Sequence, residues 1–447
     1  MTRLMWPTTG TANRNTMFQE HTTAYGSAPG LIATAPATFL VIGEHTDLYG
    51  GIVLSGMSGR RVVVGASRRR DDTVRVRVLR NGTDDTPVVV TTSTTMEILS
   101  THANLRSNGP NEPDAALPAS PLSGIQDNWA NRLGGVAWMM IQRQLISRET
   151  PGFDITIISD IPPGCGLGEH AAAETAFALG LADLAGHQPD APLRTRIADV
   201  CTQAASLFGG TPPMRARHTT ALRGGTGQVL SVIDYADGSV TQAPSPAPLS
   251  YRPYLVTVPA GSVEPSGSGV SELKRRGDFI ELASRIYGVE SLRLLPDSEE
   301  RVIDWLETVH EVRGPEAQPP VAEAAGWMGF LTAETRRAFD CAAFLRSRRI
   351  PEALGTLSDS QAQMCAAFGL GSDTDALVRL CIARGAAVAR AAHAGASRAV
   401  IAWFPSDADC EDSHDDAAIR LTDDGLLVIP LADGSPAAVD NVPGNWS

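Results

Sequence analysis

Several features that define common protein classes are scarce in this sequence. The six cysteines lie far apart and form no Cys-x-x-Cys pair, so neither a metal site nor a disulfide framework is indicated. No apolar run approaches the ~18 residues of a transmembrane helix, and residues 1–20 lack the apolar segment of a signal peptide. The formal charge of −13 disfavours nucleic acid or an anionic membrane as a partner. We therefore expect a cytoplasmic protein with a small-molecule partner.

The chain is long enough, at 447 residues, to form two domains with sizeable cores. Proline and serine cluster at 244–251, which marks the best candidate boundary. Residues 1–24 are polar and predict a loosely packed arm. Valine-rich segments flank a charged run and predict a hairpin over 60–78, whereas the Gly-, Pro-, Arg- and Thr-rich stretch 209–227 predicts a loop.

Apolar and alternating runs predict a mixed α and β protein. A strand over 153–159 leads through a Gly-rich loop into an Ala-rich helix over 171–185. Further strands are expected at 31–41, 52–54, 229–233, 254–258, 399–404 and 426–429, and further helices from 129, over 193–208, and through most of 278–394.

The most informative stretch is the polar loop between the first two predicted strands. It reads Ile-Gly-Glu-His-Thr-Asp over 42–47 and ends in a Gly-Gly turn at 50–51. Two carboxylates, an imidazole and a hydroxyl group on one loop suit hydrogen bonding to the adjacent hydroxyls of a polyol, which predicts a sugar site. A simpler interpretation is a polar turn whose side chains cap neighbouring elements.

This stretch resembles the signature of galactokinases, which belong to the GHMP kinases, ATP-dependent enzymes that phosphorylate small alcohols. In galactokinases the Glu, His and Asp of this loop contact the sugar, so the resemblance implies that Glu44, His45 and Asp47 bind substrate, and we expect Tyr49 and Gly50 of the same loop to join them. The signature departs at two positions, because Thr38 stands at the family's Arg and Leu40 at its Asn.

The resemblance spans roughly 30–435 and implies the two-domain GHMP kinase fold. The expected architecture is an α/β domain over 25–245, which carries the sugar loop and a degenerate phosphate loop, followed by an α+β domain over 246–447. The active site is then expected in the cleft between the two domains.

The phosphate loop of the family is altered in this sequence. GHMP kinases have Pro-x-x-x-Gly-Leu-Ser-Ser-Ser-Ala, whereas the three Ser positions here are Gly168, Glu169 and His170. Glu169 places a negative charge where a triphosphate would lie, at a cost of about 4 kcal/mol per like charge at ~4 Å and an effective dielectric near 20. The alternative is that Glu169 is a first-turn acid that stabilises its own helix.

The catalytic carboxylate of galactokinases is also absent. The family places a Met-Asp-Gln segment after a Gly-rich stretch, whereas the corresponding segment here contains Met214 and Arg215, and no acid occurs between Asp199 and Asp234. The acid of the family's Mg²⁺-binding helix is replaced by Ala204-Ala205, and the third, Gly-rich motif is replaced by 391–398. We therefore expect that ATP and Mg²⁺ binding are lost and that no cofactor or metal is used.

The substituted residues themselves are candidate catalytic groups. If the family geometry holds, Glu169, His170, Arg215, Arg217 and His218 converge near the sugar loop. A carboxylate and an imidazole supply acid and base catalysis, and the two arginines bind an anionic group. The simpler interpretations are a solvated basic loop for the arginines and a packing residue for His170, and His218 is the weakest candidate.

Three functions remain open from the sequence. The first is an ATP-independent enzyme, such as a lyase, isomerase, epimerase or aldol-type condensing enzyme, that acts on a sugar, sugar phosphate or sugar-derived substrate, for instance in specialised metabolism. The second is a catalytically silent sugar sensor or regulator. The third is a divergent sugar kinase that phosphorylates a galactose-like substrate.

Overall fold

The computed structural model describes residues 12–81, 87–107, 128–246, 251–259, 267–314, 319–405 and 420–440. The strands are β1 (Leu31–Ile42), β2 (Ile52–Arg68), β3 (Thr73–Asn81), β4 (Pro87–Thr95), β5 (Phe153–Ser159), β6 (Val229–Asp234), β7 (Ser239–Pro244), β8 (Tyr251–Thr257), β9 (Val388–Ala391), β10 (Val400–Pro405), β11 (Leu427–Pro430) and β12 (Ala438–Asp440). The helices are α1 (Arg14–Tyr25), α2 (Met96–Ser107), α3 (Trp129–Gln142), α4 (Glu169–Leu184), α5 (Ala191–Phe208), α6 (Arg215–Arg223), α7 (Gly267–Tyr287), α8 (Ser298–Arg313), α9 (Val321–Arg346), α10 (Ile350–Ala366) and α11 (Asp375–Ala383).

Eight strands form a large sheet around β1 and β2. The strand order is β12-β1-β2-β5-β3-β4, and β6 pairs with the first part of β2 and carries β7 on its outer edge. The antiparallel register of β1 and β2 shifts between Pro36 and Ala37. Pro36 has no backbone N–H to donate to a ladder, which explains an irregularity at this point.

The predicted hairpin over 60–78 is wrong, because β5 lies between β2 and β3. β5 is antiparallel to β2 and parallel to β3. Every residue of β5 is buried, and a fully buried strand requires hydrogen-bonded neighbours on both edges. The charged turn therefore connects two strands that each pair with β5 rather than with one another.

Helices cover both faces of the large sheet. α3, α4 and α5 pack together on one face, and α4 lies against β1 and β2. On the other face, α1 packs against β2 and β5 through Met17, which contacts Ile32, Val63 and Ile158. The loosely packed arm predicted for 1–24 is therefore wrong from residue 14 onward, and residues 1–11 lie outside the described part of the chain.

A second sheet has the strand order β11-β8-β10-β9, and all of its pairs are antiparallel. A separate helical core includes Phe279, Leu306, Trp327, Leu331 and Phe368, which lie on or next to α7, α8, α9 and α10. β12 then returns to the large sheet and pairs with β1. The domain boundary at 245 stays a prediction. The structure adds that β12, the last described strand, belongs to the large sheet.

Two further observations concern expectations from composition. No helix in the described ranges is long and apolar enough to cross a membrane. The five cysteines that the structure describes are free thiols.

Candidate functional site

The loop between β1 and β2 is held in shape by its own backbone and by a buried carboxylate. The Thr46 hydroxyl donates to Gly43 O at 2.8 Å, and Gly51 N donates to Thr46 O at 2.8 Å. Gly43 N donates to Glu334 Oε1 on α9 at 3.0 Å. Gly43 has φ +87°, and a Cβ atom there would overlap the carbonyl oxygen of Ile52, so only glycine fits. The loop therefore has one defined conformation.

Glu44 joins this loop to the second sheet. Its side chain is fully buried, Oε1 accepts a hydrogen bond from Ala394 N at 2.8 Å, and Oε2 accepts one from Arg390 Nη1 at 3.2 Å. Burial raises the pKa of Glu44, while the charge of Arg390 and the Ala394 N–H oppose this shift. Both carboxylate oxygens thus have partners in the protein before any ligand binds.

The contact between Glu44 and Arg390 belongs to a larger buried network. Arg390 Nε donates to Ser360 Oγ at 3.0 Å, and Arg390 Nη2 lies 3.4 Å from Glu334 Oε1. Glu334 also accepts from Ser360 Oγ at 2.6 Å and from Arg337 Nε at 2.9 Å. Buried charges are tolerated only when paired, so this network fixes the loop against β9, α9 and α10.

His45 is a partly exposed, neutral imidazole in this loop. Nε2 lies 3.1 Å from Ala394 O, and the ring stacks on Phe368 with centroids 5.7 Å apart. A carbonyl oxygen can only accept, so Nε2 carries the proton and Nδ1 has a free lone pair. Burial lowers the pKa of His45 to about 4, which keeps the ring neutral at physiological pH.

Asp47 contacts the beginning of α6. Its Oδ1 accepts from Leu48 N at 3.1 Å, and its Oδ2 accepts from Arg215 N at 2.8 Å. The Arg215 guanidinium lies over the Tyr235 ring at 4.6 Å. Burial raises the pKa of Tyr235, so it stays a neutral phenol. Asp47, Arg215 and Tyr235 thus form a polar cluster in which a carboxylate lies at a helix N-terminus.

Tyr49 and Gly50 contact the helical core of the second half. The Tyr49 hydroxyl lies 3.1 Å from Thr332 Oγ1 and 3.4 Å from Ser298 Oγ, and its side chain is buried. Gly50 O accepts from Arg293 Nη1 at 3.0 Å. These contacts connect the end of the loop to α8, α9 and the segment before α8. The substrate contacts predicted for Tyr49 and Gly50 stay predictions.

Glu169 and His170 begin α4 and contact residues of β3 and α3. Glu169 Oε1 is 3.3 Å from Arg80 Nε, and the Arg80 guanidinium lies over the Trp129 ring at 5.5 Å. The His170 ring lies 4.3 Å from the Trp129 ring. These contacts match the simpler interpretations of a helix-start acid and a packing residue.

The stretch predicted as a loop over 209–227 contains α6, so that prediction is wrong for Arg215–Arg223. A helix turns about 100° per residue, which directs Arg217, two residues on, to the opposite side of α6 from Arg215. Arg217 is buried and donates from Nη1 to Thr38 O at 2.7 Å and from Nη2 to Gly166 O at 2.8 Å. Burial lowers its pKa to about 10, so it remains a cation that joins β1 to the Gly-rich loop.

His218 lies in the interior between α4 and α5. Its Nε2 is 2.8 Å from Glu174 Oε2, and its Nδ1 is 3.2 Å from Thr202 Oγ1. Arg132 Nη1 donates to Glu174 Oε1 at 2.9 Å. Burial alone would raise the pKa of Glu174, but the His218 hydrogen bond and the Arg132 charge lower it overall. His218 therefore helps to fix α6 against the core.

The structure thus separates the predicted catalytic residues into three environments. Arg215 lies beside Asp47, Arg217 and His218 are buried on α6, and Glu169 and His170 lie near Trp129. Their catalytic roles stay predictions.

Sequence reasoning missed three residues that contact or neighbour the loop. Glu334 and Arg390 form hydrogen bonds to Gly43 and Glu44 of the loop. His393 lies in the segment after β9, with its ring 6.1 Å from the His45 ring. The signal for His393 was present, because it stands in the segment that replaces the third family motif. Nothing local marks Glu334 or Arg390, since their partners are about 290 and 350 positions away in the chain.

The Gly-rich loop before α4 keeps a shape typical of anion-binding loops. Gly164, Gly166 and Gly168 all have left-handed φ angles near +70°. Gly166 O accepts from Arg217 Nη2, and the first helical residue is the buried acid Glu169. The expected loss of ATP and Mg²⁺ binding stays a prediction. Within the described ranges, no group of three or more His, Cys, Asp or Glu residues is arranged to hold a metal ion.

Two family models match the chain. The galactokinase galactose-binding signature matches residues 19–68, and the GHMP kinases N terminal domain matches residues 131–213. The chain is similar to the galactokinases of Bos taurus (29% identity over 272 residues) and Canis lupus familiaris (30% over 270 residues). Each match covers 60% of this chain and 59% of the relative, so the chain spans less than two thirds of the length of these relatives.

Solved structures extend the similarity in fold to almost the whole chain. The galactokinase of Lactococcus lactis, complexed with galactose, superimposes with a TM-score of 0.65 at 14% identity and covers 95% of this chain and 99% of its own. The mevalonate kinase of Methanococcus jannaschii gives a TM-score of 0.51 at 10% identity, with 92% and 98% coverage. The predicted mixed α/β fold is therefore confirmed. The chain is therefore similar to galactokinases and other GHMP kinases in sequence over part of its length, and in fold over almost all of it.

Proposed function

We propose that this protein is an enzyme that binds a galactose-like sugar at the loop between β1 and β2 and converts it without phosphate transfer from ATP. The sugar class is supported by the galactose-binding signature over 19–68 and by the galactokinase relatives. Asp47 and the neutral ring of His45 lie in this loop and are able to hydrogen-bond to sugar hydroxyl groups.

The observation that carries the proposal is the arginine at the beginning of α6. A sugar kinase needs a group that accepts or orients the proton of the attacking hydroxyl. Arg215 has no proton-accepting atom at neutral pH, and no Asp or Glu occurs between Asp199 and Asp234. The start of α6 therefore offers a guanidinium, suited to an anionic or carbonyl group of the substrate, where a kinase would offer a carboxylate.

The start of α4 supports the same conclusion. Glu169 is buried in the first helical turn, where its charge opposes a phosphate. His170 packs on Trp129 and Arg80 lies over the same ring, so these side chains fill the space beside α4 with protein contacts. Lyase, isomerase, epimerase and aldol-type reactions of a sugar need no triphosphate and remain the candidate classes.

A second candidate is a divergent sugar kinase. It is favoured by the identity of 29–30% to galactokinases over 60% of the chain. This function requires that Asp47 or another acid replaces the missing carboxylate, and that a nucleotide binds despite Glu169.

Calorimetric titration separates these functions. We expect the purified protein to bind D-galactose or a sugar phosphate and to show no heat of binding with ATP and Mg²⁺. Asp47→Ala should abolish sugar binding, whereas Asp278→Asn, which removes an exposed acid paired with Lys274 on α7, should leave it intact. Formation of ADP and sugar phosphate would overturn the proposal in favour of the kinase. Sugar binding without conversion of any sugar in the panel would indicate the silent sensor.

A further inference from the structure

His393 belongs to the segment that follows the second sheet's strand β9, and its ring lies near His45 of the sugar loop. It begins a turn in which Ala396 N and Ser397 N donate to its carbonyl oxygen at 3.0 and 2.8 Å. The side chain is half-buried, and its ring centroid lies 6.1 Å from that of His45. The turn thus fixes the backbone of His393 through its carbonyl oxygen and uses neither ring nitrogen.

The two rings present free hydrogen-bonding capacity to the same space. His45 gives its Nε2–H to Ala394 O, so its Nδ1 has only a lone pair to offer. Within the described ranges, no hydrogen bond joins His45 Nδ1 or either ring nitrogen of His393 to another residue. Half-buried polar groups without a protein partner are suited to a ligand's hydrogen bonds.

We propose that His393 is a ligand-contacting residue, and that the rings of His45 and His393 together bind hydroxyl groups of an uncharged polyol. This inference rests on the proposed function and adds to it a sugar contact from the segment that replaces the family's Gly-rich motif. A glycine at this position has no side chain, so the contact is one that the resemblance does not imply.

The surroundings of the pair keep both rings neutral. His393 faces the buried guanidinium of Arg217 on α6 as well as His45, and both lower its pKa in addition to burial. His45 faces Asp47 on its own loop, Arg390 on β9 and Arg276 on α7. Arg390 is paired with Glu44 and Glu334, and Glu44 Oε1 lies 3.6 Å from His45 Nε2. Two neutral rings in this setting are suited to the hydrogen bonds of uncharged hydroxyl groups.

The test uses the full chain with D-galactose as the probe. His393→Ala should weaken galactose binding about three- to tenfold, the range for loss of one hydrogen bond between uncharged groups. His393→Asn supplies an amide donor and acceptor in place of the imidazole, so it should bind galactose more tightly than His393→Ala. His187→Asn serves as the matched control, because His187 bonds to Leu145 O on another part of the surface.

A second readout identifies contact directly. In protein with ¹³C-labelled histidine, galactose should shift the ring signals of His45 and His393 and leave that of His187 in place. Unchanged affinity in His393→Ala together with an unmoved His393 signal would overturn this inference alone. Failure of the unsubstituted protein to bind galactose would overturn the proposed sugar site and this inference with it.

Discussion

Arg217 and Gly168 occupy adjoining space at the start of α4. A Cβ atom on Gly168 would lie 2.8 Å from Arg217 Cδ, 3.1 Å from Arg217 Nη1 and 3.2 Å from Thr38 Oγ1. All three residues stand at or near positions where the sequence departs from its relatives. Both the left-handed φ of +70° and the Arg217 side chain therefore favour glycine at the residue before α4.

This close approach predicts a non-additive effect on stability. Gly168→Ala should lower the free energy of unfolding by about 2–4 kcal/mol, because it adds left-handed backbone strain and an overlap with Arg217. In an Arg217→Ala background, the same substitution should cost only about 1 kcal/mol, which is the backbone part. Urea unfolding of the four proteins measures the difference.

Gly164→Ala is the matched control for this cycle. Gly164 has the same φ of +70°, but nothing lies within 4 Å of its added Cβ. Its substitution should therefore cost about 1 kcal/mol in both backgrounds. An equal cost for Gly168→Ala with and without Arg217 would show that the two residues are not coupled.

The second prediction concerns the buried network of Arg390, Glu44 and Glu334 that contacts the sugar loop. Arg390→Met leaves the buried carboxylates of Glu44 and Glu334 without their shared cation, which should lower the free energy of unfolding by about 3–5 kcal/mol. Arg336→Met removes an exposed α9 ion pair with Asp340 and should cost less than about 1 kcal/mol. Thermal and urea unfolding compare the two variants, and equal costs would mean that the network does not hold the loop.

The local sequence pattern was sufficient to predict those strands and helices that carry a clear apolar run of their own. The apolar runs that became β5 and β10 and the Ala-rich helix α4 were predicted within a few residues of their observed bounds. The parallel pairing of β3 with β5 was not, because it joins segments about 80 residues apart and no turn sequence specifies it. A hairpin is the simplest inference from two neighbouring valine-rich runs, and it fails when a later strand inserts between them.

Contacts between segments distant in the chain limit the prediction of the site even more than that of the fold. The loop residues Glu44, His45 and Asp47 are recognisable from their spacing, but their partners come from α6, β9 and the segment after β9. α6 itself was missed because four of its seven buried residues are polar. His218 is buried by pairing with Glu174, so the helix has no apolar periodicity from which to predict it.

The last prediction concerns the loss of stability at low pH caused by His21, which packs α1 against the large sheet. His21 is fully buried on this helix, with its ring nitrogens 3.0 Å from Thr156 Oγ1 and from Ser67 Oγ. Burial lowers its pKa from 6.5 to about 4, while the charge of Asp154 opposes the shift. The unfolded chain therefore binds a proton below pH 6.5 that the folded chain takes up only near pH 4. Stability should fall over this interval by up to about 3 kcal/mol from His21 alone.

Variants at and beside His21 separate titration from packing. His21→Gln cannot titrate, so its free energy of unfolding should decline less between pH 6.5 and 4 than that of the unsubstituted protein. Ser67→Ala removes one hydrogen-bond partner but keeps the imidazole, so it should be less stable at every pH and retain the full decline. Urea unfolding at pH 7, 6, 5 and 4 measures each slope. If His21→Gln retained the slope of the unsubstituted protein, the acid sensitivity would lie in the other buried histidines, and α1 would not be held by a neutral ring.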